Sequence, residues 1–370
     1  MRAGIIGGGF MAAVHSRALR AAGHEIAGLA SSSAERADLA ASALGIARSF
    51  RSPEALVESS DVDVVHICSP NSTHAPLALA AIASGKHIVC EKPLASTIVD
   101  ARSLAAAASA ERVLTAVPFV YRFYPAVREI RARIARGDIG EPMLLHGAYL
   151  QDWLATPSAT NWRVDVNEGG SSRAFADIGV HWCDLVEFVT GHRITRLSAK
   201  LVTAFGRRGG SAFAVGTEDV VTMMFETDRG ASGSVMVSQV SSGRKNRLTF
   251  SIDGESGAFA FNQEEPNTFW TGTLDENRIV STGSSSITSG DARRLALLPP
   301  GHPQGYQDAF TAFVSDAYRR FAGEPVSGLP TFDDGLRAAQ ITDAVLRSSA
   351  MEGWVDVKEA TLSHTDPVTA

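Results

Sequence analysis

Three short stretches carry residue types that could do chemistry together. The first is Glu91-Lys92-Pro93, which ends the apolar run Ile88-Val89-Cys90. Proline has no N–H to give to a ladder, so Pro93 stops the strand and leaves a charged pair at its carboxyl end. In open α/β sheets ligands bind at that edge. A lysine there can polarise an oxygen, or pass a proton if burial or a nearby positive charge lowers its pKa from ~10.4. The second stretch is Asp177-Ile178-Gly179-Val180-His181, inside a segment that reads as a helix from Phe175 to Val189. Residues four apart share a helix face, so Asp177 can orient the His181 ring and support its charged form. An imidazole with an ordinary pKa near ~6.5 suits a general base. The third is Gly7-Gly8-Gly9-Phe10-Met11-Ala12. Each stretch alone also reads as plain structure: a solvated ion pair, a helix cap with a core histidine, a glycine turn. Their combination shifts the reading toward chemistry.

The elements around these stretches support that reading. Residues 3–6 form a strand, the glycine turn follows, and a helix runs on through Leu19. Gly7, Gly9 and Ala12 fit G-x-G-x-x-G/A in the strand–turn–helix context the motif requires. Gly7 allows the tight turn, Gly9 lets a pyrophosphate approach, and the helix N-terminus favours negative charge. Phe10 and Met11 lie in the same turn. The next strand, 25–30, ends in Ser31-Ser32-Ser33, where an acidic residue would mark NAD and a nearby arginine NADP. Neither marker stands there, so the choice between NAD and NADP is open. Strands over 62–67, 87–91 and 114–120 alternate with helices over 73–84 and 97–110, which implies a parallel sheet. Pro70, Asn71 and His74 follow the third strand and are further cofactor candidates, as is Glu91.

The pattern changes after residue 123. A helix over 125–136 and a strand over 143–150 precede a long polar segment, 151–173, that contains Trp153, Trp162 and Arg163. Loops of that length are usually functional or disordered, and the two tryptophans favour function. Closely spaced strands over 194–203, 218–226, 231–238, 246–253, 257–262 and 268–273 predict antiparallel pairing. Several alternate with Ser and Thr, so one sheet face is expected to be less buried and open to a subunit contact. Residues 281–290 read as a mobile Ser/Gly loop, and helices over 306–322 and 333–351 precede a loose polar tail after Val357. The fold class is therefore α/β: a Rossmann-type doubly wound parallel sheet over 1–121, then an α/β domain with a large, mostly antiparallel sheet over 122–370.

Composition narrows the class further. The 370-residue chain is 45% hydrophobic and 20% charged with a net charge of −6, which argues against a nucleic-acid footprint. Its three cysteines, Cys68, Cys90 and Cys183, are scattered, so free thiols in a reducing, cytoplasmic setting are expected. No secretory leader, membrane span or metal-ligand spacing is read from the sequence.

Taken in order, the glycine turn, Glu91-Lys92-Pro93 and Asp177-Ile178-Gly179-Val180-His181 resemble the glucose–fructose oxidoreductase / inositol dehydrogenase / rhizopine-catabolism (Gfo/Idh/MocA) family over nearly the whole chain. The resemblance implies NAD- or NADP-dependent hydride transfer to or from a secondary alcohol of a sugar, cyclitol or related polyol. It implies Lys92, Asp177 and His181 as the catalytic set, and Trp162-Arg163 near the nicotinamide end of the cofactor. Tyr306 is a further cofactor-side candidate. It also implies a homodimer or homotetramer formed through the C-terminal sheet. Residues 149–153 look similar to the sugar-oxidising branch. Tyr121, Asp152, Trp153, Asp165 and His302 are the substrate-contact candidates. His181 is the favoured base, with Lys92 as the polarising or proton-relaying partner. Two alternatives share the motifs: an NAD-dependent glycosidase with transient hydride transfer, and a non-catalytic ligand sensor.

Overall fold

The computed structural model describes residues 1–209, 214–283 and 285–358. The first third comprises β1 (Arg2–Ile6), α1 (Phe10–Ala21), β2 (Glu25–Ala30), α2 (Ala34–Leu44), α3 (Pro53–Val57), β3 (Val64–Ile67), α4 (His74–Ala83), β4 (His87–Cys90), α5 (Ile98–Ala110) and β5 (Thr115–Ala116). The strands pair in parallel in the order β2-β1-β3-β4-β5. Runs such as Val64–Ile67 and Ile88–Cys90 are buried throughout, as continuous rather than alternating apolar patterns require when helices cover both faces. Ser33, Ser52 and Thr97 accept backbone N–H groups and so fix the starts of α2, α3 and α5.

The strand expected over 114–120 is shorter. Val117 N–H bonds to Pro330 O instead of a ladder, Pro118 has no N–H, and the chain turns into a 3₁₀ segment at Val120–Phe123.

The remainder comprises α6 (Pro125–Ala135), β6 (Pro142–Leu150), α7 (Val166–Gly169), a π-helical turn at Phe175–Gly179, α8 (Val180–Thr190), β7 (Ile194–Val202), β8 (Val220–Thr227), β9 (Ser232–Ser238), β10 (Arg247–Gly254), β11 (Ala258–Asn262), β12 (Thr268–Gly272), β13 (Asn277–Ser281), α9 (Gly290–Leu295), α10 (Tyr306–Phe321), α11 (Phe332–Met351) and β14 (Val355–Asp356). The nine-stranded sheet runs β13-β12-β11-β10-β6-β9-β8-β7-β14. Its pairs are antiparallel except β6–β9, which is parallel. The long crossover through α7, α8, β7 and β8 makes that pairing possible.

The sequence did not predict β13 or α9; they flank the segment read as a mobile loop, of which residue 284 lies outside the described residues. The polar tail beyond residue 358 lies outside them too.

On β8, Val221, Met223 and Phe225 are buried while Thr222, Met224 and Glu226 are exposed, so one sheet face packs and the other is open. Helices α8 and α11 cover the packed face, and α10 and α11 also pack on α1 and α5 beside the first sheet. No helix among the described residues is long and apolar enough to cross a membrane.

Candidate active site

The carboxyl end of β4 delivers Lys92 to the π turn ahead of α8. Lys92 Nζ donates to Asp177 Oδ1 at 2.7 Å and to the Asp177 carbonyl at 2.8 Å. Arg163 Nε stands 3.3 Å from the same Oδ1, and Gln239 Nε2 donates to Oδ2 at 2.8 Å. The Lys92 and Asp177 side chains keep only 13% and 14% of their exposure, so the pair is largely desolvated yet reachable. Burial by itself raises a carboxyl pKa, but Lys92 and then Arg163 outweigh it here and hold Asp177 well below the usual carboxylate range.

His181 sits on α8, its ring edge-on to Phe119 at 5.6 Å and Tyr121 at 5.0 Å. Burial, then the Lys92 charge, hold its imidazole well below the usual histidine range, against a smaller opposing effect of Asp177. The ring is therefore neutral at pH 7. The expectation that Asp177 orients it is corrected: the Asp177 oxygens engage Lys92, Arg163 and Gln239 instead. The His181 Nδ1 atom is buried with no hydrogen-bond partner among the described residues.

The glycine turn fits a dinucleotide. Gly7 has φ +120°, and a Cβ there would lie 2.7 Å from Cys68 O. A Cβ on Gly9 would meet nothing within 4 Å, so the backbone is open to an approaching pyrophosphate. Gly9 opens α1 with no side-chain cap, which leaves first-turn N–H groups for an anion. Phe10 is exposed and Met11 half-buried beside it. Past β2, Ser31 is half-buried and Ser32 accepts from Arg36 Nη1 at 3.0 Å, placing a guanidinium near the β2 exit.

Several candidates have partners within the protein itself. The His74 ring lies between Pro93 O at 2.8 Å and Ser69 O at 3.0 Å, tying the β3 exit to the Lys92-Pro93 turn. Asn71 Nδ2 donates to Gly169 O, beyond Pro70. Asp152 accepts from Lys245 Nζ and Gly243 N–H, and so staples its own loop. Trp153 Nε1 donates to Gln151. Asp165 caps α7. His302 is exposed on a turn against Pro299 O. Tyr121 is buried, with its hydroxyl 2.6 Å from that of Tyr149 and accepting from Asn246, so it forms the wall behind His181. Trp162 and Arg163 fall beside the cluster, with the guanidinium 4.3 Å over the indole.

Glu91 also turns away from Lys92 Nζ, into a buried chain that the sequence did not reveal. Glu91 Oε1 lies 3.0 Å from His15 Nε2, His15 Nδ1 2.8 Å from His66 Nδ1, and His66 Nε2 3.0 Å from the Tyr318 hydroxyl. Burial and the neighbouring His15 hold His66 well below the usual range, hence neutral. With Glu91 as a carboxylate, one neutral arrangement satisfies every group: Tyr318 donates to His66, His66 to His15, and His15 to Glu91. The available signal was a polar residue on the buried face of α1, between Ala12 and Leu19. Gln239, at the end of an ordinary alternating strand, carried no signal.

Comparison with known proteins agrees with this fold. Residues 1–119 match a family model described as an oxidoreductase family with an NAD-binding Rossmann fold, and 127–260 match the GFO/IDH/MocA C-terminal domain. Levoglucosan dehydrogenase of Pseudarthrobacter phenanthrenivorans is 32% identical, over 97% of this chain and 98% of its own length. Inositol 2-dehydrogenase 3 of Saccharopolyspora erythraea is 32% identical, over 94% and 93%. A levoglucosan dehydrogenase structure in complex with NADH and levoglucosan superposes with a TM-score of 0.90 at 33% identity, covering 97% of this chain and 100% of that one.

Proposed function

The chain belongs to the GFO/IDH/MocA oxidoreductase family, and from that premise we propose how its own residues divide the work. The protein is an NAD-dependent oxidoreductase acting on the CH–OH group of a sugar, cyclitol or related polyol. The proposed site is the desolvated cluster of Lys92, Asp177 and His181, and the Lys92–Asp177 contact at 2.7 Å is the observation that carries it.

The nicotinamide, when bound, supplies the hydride acceptor. His181, held neutral, takes the hydroxyl proton as the carbon gives up its C–H electron pair and the C–O bond becomes a carbonyl. The Lys92 ammonium donates to the oxygen while negative charge develops on it. Asp177 holds and aims Lys92, and Arg163 and Gln239 hold Asp177 in turn. Burial makes the imidazolium a poor resting state, so the proton moves on to solvent. Gly7, Gly9 and the first turn of α1 hold the pyrophosphate. No carboxylate at Ser31-Ser32 repels a ribose phosphate, so NADP belongs in the test beside NAD.

A cofactor unit over 1–121 and a substrate unit over 122–370 complete the reading, with α10 and α11 packed against both. The open sheet face, which exposes Met143, Met224 and Met236, supports pairing of copies through that sheet, for which light scattering is the test.

The experiment for the site is a panel of sugars and inositols with NAD and NADP, followed at the reduced-nicotinamide absorbance. Lys92→Ala and His181→Ala should each lose at least ~10²-fold in turnover. Near-native turnover in both would overturn the assignment. Sugar release without net NADH would assign the site to transient hydride transfer in glycoside cleavage.

A further inference from the structure

Beside the catalytic cluster lies a groove of about 840 Å³, lined among others by Tyr124, Asn246, Gln263, Glu265, Thr268 and Tyr306. We propose that this groove seats the second ring of a disaccharide or glycoside whose first ring is oxidised at Lys92 and His181. The proposal rests on the sugar-oxidising reading above and names the substrate class within it.

The groove adjoins the reacting centre across packed side chains already described. Tyr306 stands 6.3 Å, ring to ring, from Tyr121, which packs on His181. Tyr306 thus lines the groove and packs on the residue that flanks His181. Asn246 takes part on both sides as well. Its Oδ1 accepts from the Tyr149 hydroxyl at 2.7 Å, its Nδ2 donates to Tyr121, and its backbone N–H donates to Glu264 on the groove wall.

Size and chemistry identify the occupant. The volume is near the top of the ~300–1,000 Å³ range of small-molecule clefts, more than a single ring held at the cluster requires. Amides, carboxylates and tyrosines line it, with no lysine or arginine among the lining residues. The first turn of α10 at its edge carries the Asp308 carboxylate, which accepts from Gly305 N–H at 2.8 Å. A phosphorylated sugar or a second nucleotide would find no positive charge there. A neutral polyhydroxyl ring would find acceptors for its O–H groups and aromatic faces for its C–H groups. One of those acceptors is unspent: Gln263 Oε1 is buried without a hydrogen-bond partner.

The test compares kcat/KM with NAD for cellobiose, maltose, lactose and methyl glucosides against free glucose and galactose. We expect at least one two-ring or glycosidic substrate to exceed its parent monosaccharide about tenfold. T268W, which fills the groove, and Glu265→Ala, which removes an acceptor, should each bring that ratio toward one; thermal unfolding confirms that each variant is folded. Preference for the monosaccharide throughout, or a ratio that neither folded variant moves, overturns the proposal while leaving the sugar dehydrogenase reading intact. Oxidation of no sugar or polyol at all fails that reading itself, and the two-ring substrate falls with it.

Discussion

Asp177→Asn removes one charge and almost no volume from the centre of the cluster. In the native protein the carboxylate meets Lys92 Nζ at 2.7 Å, Arg163 Nε at 3.3 Å and Gln239 Nε2 at 2.8 Å. At an effective dielectric of about 20 the Lys92 contact alone corresponds to roughly 6 kcal/mol of gross Coulomb energy, most of it offset by desolvation. Breaking a buried pair by removing one partner costs about 3–5 kcal/mol. The low end applies here, because Lys92 keeps the Asp177 carbonyl at 2.8 Å. About 3 kcal/mol in a chain of this length lowers Tm by roughly 4 °C. The sign with pH follows from the direction of the shift. The folded-state carboxyl lies below its unfolded value of ~3.9, so its stabilisation is complete above about pH 4 and lost as pH falls further. Urea unfolding of both proteins at pH 7, 5 and 3.5 should therefore show a gap that is constant at the upper two values and narrows at the lowest. Oxidation of the best sugar should fall at least ~10²-fold, since Lys92 loses the anion that aims it. A gap below 1 kcal/mol at pH 7, or one indifferent to pH, would refute the reasoning.

Four further outcomes follow from other contacts. Gly9→Val should leave stability within about 0.5 kcal/mol, since its Cβ faces open space, yet weaken NADH at least tenfold in a fluorescence titration. Gly7→Ala, at φ +120° and against Cys68 O, should cost about 1–3 kcal/mol in urea unfolding. His181 is depressed in the folded state, so below about pH 6.5 the unfolded chain binds the proton first and the native protein loses stability as pH falls. His181→Gln should remove that part of the acid-side decline, measured as Tm against pH. Tyr318→Phe strips the donor from the far end of the Glu91–His15–His66 chain and should cost about 1–3 kcal/mol in urea unfolding, because His66 Nε2 is left buried and unpaired.

Much of this molecule was legible as local chemistry. Strand exits at glycine and proline, serine and threonine caps, and the change from helical to two-residue periodicity are short-range effects, so the parallel sheet, the glycine turn and the Glu91-Lys92-Pro93 edge could be read directly. The spacing of Asp177 and His181 placed both at one site, but spacing does not say which groups the Asp177 oxygens meet. What joins Asp177 is Lys92, 85 residues away, and Gln239, 62 residues away; what completes the Glu91 chain is Tyr318, 252 residues from His66. Such pairings depend on how α10, β9 and the 151–173 segment pack, and no local pattern encodes that packing. The same holds for Asp152, whose partner Lys245 lies 93 residues away. From its sequence alone the chain determined which residues can carry charge, phosphate and protons. Only the tertiary structure decided which of those charges meet, because the sign and size of each interaction are set by burial and distance.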